Sequence, residues 1–399
     1  MCSVLLAFIS LASVGQGRRV QYDSQGAHSL AQVSSEFSPL NAASTRSLTS
    51  SLTRGASVVA AAGGMAGVRK TTDAQFKVCV VGGAGGIGQP LSLAVASHAL
   101  VKELSIVDLN ISAVPVDGVA ADLAHVEGPT KITSTALNLG EDKAIDKAGD
   151  ALSGCNVVLV PAGMPRKPGQ DRKDLMNVNA DIAKGTLEAC AKYCPDAVVG
   201  LIVNPVNSIV PAMAELYKKA GLDPLKIVGI TTLDCVRSNK FVQEILGEPA
   251  DVTVVGGHAG KTILPLLSQD VVASKIPAAD IPALDERIQN AGTEVVQAKA
   301  GRGSATLSMA FAAARFLDAV LEGLSGKPTT ECAYVQSSVV PSLPYFASKV
   351  VFGKNGVEKV LPIGDISDHE KARLDELIPI LKEEIDMGLE YAEANEFAK

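Results

Sequence analysis

Seven residues, G-G-A-G-G-I-G from Gly82 to Gly88, constrain this chain more than any other stretch. They follow at once on F-K-V-C-V-V (Phe76–Val81), a short apolar and β-branched run that reads as a buried strand. They open onto a pattern of helical period through Leu91, Leu93, Ala94 and Leu100. The spacing is Gly82-x-x-Gly85-x-x-Gly88, one residue looser at the front than the commonest dinucleotide fingerprint. A chain turning that tightly between strand and helix needs glycine, and side chains there would bar a pyrophosphate from the backbone. The helix that follows offers unpaired N–H groups and its positive end to the phosphate. Twenty residues on, Glu103–Val107 (E-L-S-I-V) reads as a second strand ending on Asp108. The Asp108 carboxylate can accept from the hydroxyls of an adenosine ribose and would repel a 2′-phosphate. With no arginine close behind it, the expectation is NAD rather than NADP. Gly82, Gly83, Ala84, Gly85, Gly86, Ile87, Gly88 and Asp108 are therefore the first candidate cofactor residues.

Beyond this unit the chain keeps alternating. Val157–Val160 and Val198–Val203 read as buried strands, and Leu175–Tyr193 as a helix between them. Strands alternating with helices imply a parallel sheet covered on both faces. After about Ile230 the pattern changes. Helical stretches (Leu233–Leu246, Ile281–Lys299, Ser304–Leu324) surround strands of antiparallel character, and Asn355-Gly356 within Val350–Val360 marks a hairpin. A last amphipathic helix runs from Ser367, a residue able to cap it, to Ala392. The expected fold is α/β, a Rossmann-type doubly wound parallel sheet over residues 73–228 followed by an α+β catalytic domain over 229–399.

Residues 1–72 differ. Val4–Val14 is an apolar stretch of signal-peptide length. Beyond it Arg18, Arg19, Arg46, Arg54, Arg69 and Lys70 face only Asp23 and Glu36 in a Ser- and Ala-rich background. A basic, acid-poor leader reads as an organelle transit sequence, and its apolar start admits a two-part signal, so the expected address is the mitochondrial matrix or a plastid stroma. No apolar run reaches the eighteen or so residues of a membrane span. The formal net charge of −7, with no basic stripe, argues against nucleic acid as a partner. Cys2, Cys79, Cys155, Cys190, Cys194, Cys235 and Cys332 show neither C-x-x-C nor paired zinc spacing. They read as free or buried thiols of a reducing compartment, and no metal is expected.

Of the five histidines, His28 lies in the leader, and His98, His125 and His369 read as surface or capping residues. His258 stands apart in V-V-G-G-H-A-G-K-T, with glycines on both sides that leave room for a ligand beside the imidazole. Asp234 in T-T-L-D-C-V-R is the candidate partner. A carboxylate on one ring nitrogen fixes the tautomer and stabilises the imidazolium when the other nitrogen takes a proton. Arg237, three residues on and on the same helical face, can grip a carboxylate with two parallel bonds. In an acidic chain, the loop P-A-G-M-P-R-K-P-G-Q-D-R (161–172) concentrates Arg166, Lys167 and Arg172 between prolines and a glycine.

Six ordered motifs, G-G-A-G-G-I-G-Q-P, P-A-G-M-P-R-K-P-G, N-P-V-N (204–207), T-T-L-D-C-V-R, G-G-H-A-G-K-T and G-S-A-T-L-S-M (303–309), together resemble the NAD-dependent malate dehydrogenases of mitochondrial and bacterial type. The resemblance runs from about Lys77 to the C-terminus. It implies that His258 accepts the proton and Asp234 orients it, that Arg237 clamps the carboxylate beside the reacting carbon, and that Arg172 polarises the carbonyl. It further implies that Arg166 holds the far carboxylate, that Asn204 touches substrate and nicotinamide, and that Asn179, Ile202, Val203 and Met309 line the cofactor. The implied substrates are malate and oxaloacetate, and the implied assembly a homodimer through helices on one face. A lactate-type 2-hydroxy-acid dehydrogenase is the alternative from the same superfamily, and a non-catalytic NADH-binding protein the alternative from another class. The chain departs from the pattern in extra residues after Asp108 (I-S-A-V-P-V, 111–116), in a modest excess around Gly140–Gly154, and in Arg302 where a small residue is usual.

Overall fold

The computed structural model describes residues 74–138, 144–164 and 172–397. The expected leader, residues 1–72, lies outside them.

Six parallel strands build the first half: β1 (Phe76–Val81), β2 (Val101–Leu109), β3 (Lys131–Leu137), β4 (Val157–Val160), β5 (Val198–Leu201) and β6 (Ile227–Gly229). They lie in the order β3-β2-β1-β4-β5-β6, the doubly wound arrangement. Val78 lies opposite both Leu104 of β2 and Val157 of β4, and the β1–β2 register shifts once, between Phe76 and Lys77. The helices between them are α1 (Gly88–Ala96), α2 (Val116–Leu123), α3 (Ala144–Leu152), α4 (Arg172–Tyr193) and α5 (Val206–Lys219).

Because side chains alternate along a strand, a sheet covered on both faces needs apolar residues at every position. β4 is apolar throughout, and β1 departs only at Lys77, whose ammonium donates to the carbonyls of Asp150 and Ser153, each at 3.0 Å. Cys79, Val158 and Val160 join one apolar layer, which also contains Met176, Leu187, Ile209, Tyr217 and Leu381. Val78, Val80, Val157 and Leu159 join the opposite layer with Leu91, Val95, Met309 and Phe316.

The second half continues the same sheet with antiparallel pairings. Thr232–Leu246 (α6) leads to a hairpin of β7 (Thr253–Gly256) and β8 (Ile263–Leu266). Ile281–Ala298 (α7) and Leu307–Leu324 (α8) precede β9 (Thr329–Gln336), β10 (Tyr345–Gly353) and β11 (Gly356–Val360), and Asp368–Glu393 (α9) closes the fold. β6 pairs with β9, and β10 bridges β9, β7 and β11. The Asn355-Gly356 turn sits where the sequence places it, with Gly356 at φ +90°. A third apolar layer (Val242, Val254, Ile263, Ile288) lies beneath α6 and α7.

Ser367 caps α9 in a reciprocal box. Its hydroxyl accepts from the Glu370 N–H, and the Glu370 carboxylate accepts from the Ser367 N–H at 2.7 Å. Ser367→Ala is expected to cost about 1 kcal/mol, read as a lower denaturation midpoint with unchanged slope.

The main departures from the sequence reading are local. α1 stops at Ala96, so Leu100 belongs to the turn before β2. β3 (K-I-T-S-T-A-L) has no counterpart in that reading; as an edge strand it is only half-buried and carries little apolar alternation. His98 does cap, its Nδ1 accepting from the Leu100 N–H, and its Nε2 also meets Asp318 at 3.1 Å. His369 is less bland than its sequence context suggests, with Nε2 2.7 Å from the buried Asp285.

Candidate active site

The glycine turn and Asp108 meet at the carboxyl ends of β1 and β2. Gly82 adopts φ +95°, which L side chains rarely tolerate. A Cβ on Gly88 would stand 2.1 Å from the Gly82 carbonyl oxygen, so only glycine permits α1 to start this close to β1. The helix has no side-chain cap; Gln89 N–H bonds the Gly85 carbonyl at 3.0 Å and Pro90 has no N–H, so Gly88 supplies the first-turn N–H that can face an anion. Asp108 anchors the turn. Its Oδ2 accepts from the Ala84 N–H at 2.8 Å, while Oδ1 accepts from the Leu109 N–H and the Ser112 hydroxyl, each at 2.7 Å. Ser112 belongs to the extra residues after Asp108, so that insertion braces the carboxylate expected to face the ribose. Gly82 is half-buried, Gly83 and Ala84 are buried, and Gly85 and Gly86 are exposed. The Cβ-free cradle, the uncapped helix and the half-exposed Asp108 suit a dinucleotide.

The neighbouring strand ends converge on one side chain. Asn179 of α4 is 1% exposed; its Oδ1 accepts from the Met164 N–H at 2.7 Å. Its Nδ2 donates to the carbonyls of Met164 at 3.1 Å and Asn204 at 2.6 Å. This amide ties the loop after β4 to the loop after β5. Ile202 and Val203 are buried at the end of β5, and Val203 lies against Gly163, where a Cβ would come within 2.7 Å. Asn204 is exposed. Met309 is buried in the first turn of α8, and Thr306 just before it stands 3.1 Å from where a Gly86 Cβ would be. Arg302 is exposed in the turn between α7 and α8, and nothing around it explains the charge. Arg166 lies outside the described residues; Arg172 opens α4, and its side chain likewise lies outside them.

His258, Asp234 and Arg237 do come together. His258 Nδ1 is 2.6 Å from Asp234 Oδ2, and the two side chains are 9% and 0% exposed. With Nδ1 donating its proton to the aspartate, Nε2 is the nitrogen turned to a substrate. A wholly buried carboxylate needs compensation. Asp234 receives it from the imidazole and from Arg237, whose Nη1 stands 4.0 Å from the other oxygen. Burial lowers the Arg237 pKa from its ordinary value, opposed by Asp234 and Glu294. Asp234 Oδ1 and the hydroxyls of Thr231 and Thr232 are buried with no hydrogen-bond partner among the described residues. A carboxylate close at hand, a half-withdrawn guanidinium and an imidazole whose Nε2 has no partner among the described residues can together bind an acid and move a proton.

The sequence reading assigned no role to Asn207. It is 1% exposed at the start of α5, and its Oδ1 accepts from the His258 backbone N–H at 2.8 Å. The signal was present in N-P-V-N, three residues after Asn204, but nothing local revealed a partner about fifty residues away. Among the described residues, Cys235, Glu331 and Cys332 form the one group spaced to hold a metal ion, and Glu331 is already bonded to Arg315 at 2.6 Å.

Residues 76–229 match the lactate/malate dehydrogenase NAD binding domain, and residues 231–392 match the lactate/malate dehydrogenase alpha/beta C-terminal domain. The chain is 52% identical over 321 residues to the mitochondrial malate dehydrogenase of Eucalyptus gunnii, covering 79% of this chain and 89% of that protein. It is 51% identical over 324 residues to the mitochondrial malate dehydrogenase of Citrullus lanatus, covering 80% and 90%. The crystal structure of Cryptosporidium parvum malate dehydrogenase is similar at a TM-score of 0.66 and 27% identity, covering 79% of this chain and 99% of that one.

Proposed function

The chain belongs to the lactate/malate dehydrogenase family and acts as an NAD-dependent malate dehydrogenase, interconverting malate and oxaloacetate, and we propose that His258 carries its proton while three arginines hold its substrate. The observation that carries the assignment is the 2.6 Å contact between His258 Nδ1 and the buried Asp234, with Arg237 beside it.

Bound NAD supplies the hydride acceptor. Neutral His258 takes the proton of the malate hydroxyl at Nε2, and Asp234 stabilises the resulting imidazolium without itself taking the proton. In the reverse direction the imidazolium and Arg172 polarise the carbonyl of oxaloacetate. Arg237 grips the carboxylate next to the reacting carbon, Arg166 the distal one, and Asn204 orients substrate against cofactor. Gly82, Gly83, Ala84, Gly85, Gly86, Ile87 and Gly88 receive the pyrophosphate and Asp108 the ribose, while Asn179, Ile202, Val203 and Met309 line or brace the nicotinamide side. Enclosing the diacid between these arginines excludes water and aligns the reacting atoms. Residues 73–228 form the nucleotide half and 229–399 the substrate half. Steady-state NADH oxidation with oxaloacetate and pyruvate side by side tests the assignment. Preference for oxaloacetate by orders of magnitude is expected, and preference for pyruvate would make the enzyme lactate-type.

The enzyme works in an organelle, and we read residues 1–72 as its leader to the mitochondrial matrix or a plastid stroma. Among the described residues no helix is long and apolar enough to cross a membrane. We also read the enzyme as a homodimer. Leu307 and Phe311, one turn apart on α8, are 74% and 50% exposed, and Leu93 of the adjoining α1 is 46% exposed, an apolar stripe suited to a second copy. Sedimentation analysis checks the dimer.

A further inference from the structure

His258 stands on a turn flanked by glycines, held by its own Thr262 and by one side chain from outside it. Gly256 at φ +103°, Gly257 and Gly260 at φ +47° surround it, so the backbone there has more freedom than any other residue type would allow. Three successive N–H groups are nevertheless pinned. Gly257 N–H donates to the Thr262 carbonyl at 2.8 Å, His258 N–H to Asn207 Oδ1 at 2.8 Å, and Ala259 N–H to Thr262 Oγ1 at 3.1 Å. Asn207 is the hub, since its Nδ2 also donates to Thr262 Oγ1 at 3.1 Å and to Glu384 Oε2 at 2.7 Å. Its backbone carbonyl accepts from the hydroxyl of the buried Tyr334 at 3.2 Å. Gly257 is glycine because a Cβ there would lie 2.6 Å from Asn207 Nδ2 and Thr262 Oγ1.

Glu384 is 8% exposed and comes from α9, far along the chain. It reaches Asn207 because α9 packs on α5 through Gly388, where a Cβ would fall 2.1 Å from the Ser208 carbonyl oxygen. We infer that Glu384 is a positioning residue for His258, acting through Asn207. The physical reason is the asymmetry of an amide. With the carboxylate accepting from Nδ2, only Oδ1 is left to face the His258 N–H. Were the amide turned over, its NH2 would oppose that N–H donor to donor, with both groups buried. Asp234 fixes the imidazole ring and the Glu384–Asn207 pair fixes the backbone that carries it. The two handles together set where Nε2 points.

This inference rests on the proposed role of His258 as proton carrier, and the experiment separates the two. Four full-length variants, Glu384→Gln, Asn207→Asp, the double Asn207→Asp/Glu384→Gln, and His258→Gln, are compared with wild type for kcat, KM for oxaloacetate and KM for NADH. Circular dichroism and NADH binding serve as folding controls. Asn207→Asp sets two carboxylates against each other and is expected to lower kcat about tenfold or more, whereas Glu384→Gln, which keeps an acceptor but no longer dictates the amide's orientation, is expected to lower it several-fold. KM for NADH should stay within about twofold in both, because the nucleotide cradle lies elsewhere. The double variant restores the pair with roles exchanged: one oxygen of the carboxylate now at position 207 accepts from the His258 N–H, and the other accepts from the amide now at position 384. Its kcat should return to within about threefold of wild type, a recovery that general structural damage would not give. If Asn207→Asp does not fold, kcat of Glu384→Gln and of the double decides by the same criteria. A double as impaired as Asn207→Asp, or a Glu384→Gln enzyme with wild-type kcat, overturns the inference. An active His258→Gln enzyme would instead overturn the proton assignment beneath it.

Discussion

His258→Ala is expected to lower kcat at least ~10²–10⁴-fold, the range that a positioned general acid–base contributes, while leaving KM for NADH nearly unchanged. The substitution removes the imidazole that Asp234 contacts, and among the described residues no second histidine stands ready to inherit the proton. It also leaves Asp234, 0% exposed, with Arg237 at 4.0 Å as its remaining charged neighbour. Some loss of stability should therefore accompany the loss of turnover, since a buried carboxylate deprived of a partner is costly. Stopped-flow single turnovers with saturating NADH and oxaloacetate separate the two effects, because an unstable but chemically intact fraction would still turn over at the wild-type rate. A uniform, wild-type single-turnover rate would show that the proton travels by another route.

Arg166→Gln is expected to narrow the preference for oxaloacetate over pyruvate by roughly a hundred- to several-thousandfold. The figure follows from leaving one charge unpaired in a closed, water-poor site, a cost of about 3–5 kcal/mol at 1.4 kcal/mol per tenfold. Glutamine keeps the polarity of the side chain but not its charge, so a substrate ending in methyl no longer strands a guanidinium. The ratio of the two kcat/KM values is the readout. A ratio unchanged from wild type would move selectivity to another residue.

Much of this was legible in the sequence, for reasons that differ from residue to residue. The glycine turn, Asp108 and the alternation of strand and helix announce the parallel half, because phosphate approach and two-faced burial each demand particular residue types at particular spacings. Edge strand β3 did not announce itself, because a half-buried strand of Thr and Ser carries little alternation. β6 is three residues long, too short for any period to register. In the site, glycines on both sides of His258 marked it out, and T-T-L-D-C-V-R supplied Asp234 and Arg237 on one helical face. Their meeting could only be guessed, as α6 and the turn after β7 are brought together by the antiparallel half of the sheet. Glu384 was invisible. Nothing in an amphipathic helix distinguishes the carboxylate that faces a buried amide from those that face water. The extra residues after Asp108 read in the sequence only as a departure from the pattern, and Ser112 among them braces that carboxylate.

In the proposed ternary complex, guanidinium groups of Arg166, Arg172 and Arg237 meet the His258 imidazole around a four-carbon diacid beside the nicotinamide. Crystallography of the ternary complex with NADH and an unreactive C4 dicarboxylate tests this arrangement most directly. Arg166 and Arg237 are expected on opposite carboxylates, with His258 Nε2 within hydrogen-bond reach of the oxygen on C2. Arg166 or Arg237 directed away from the bound diacid, or Nε2 turned from C2, would contradict it.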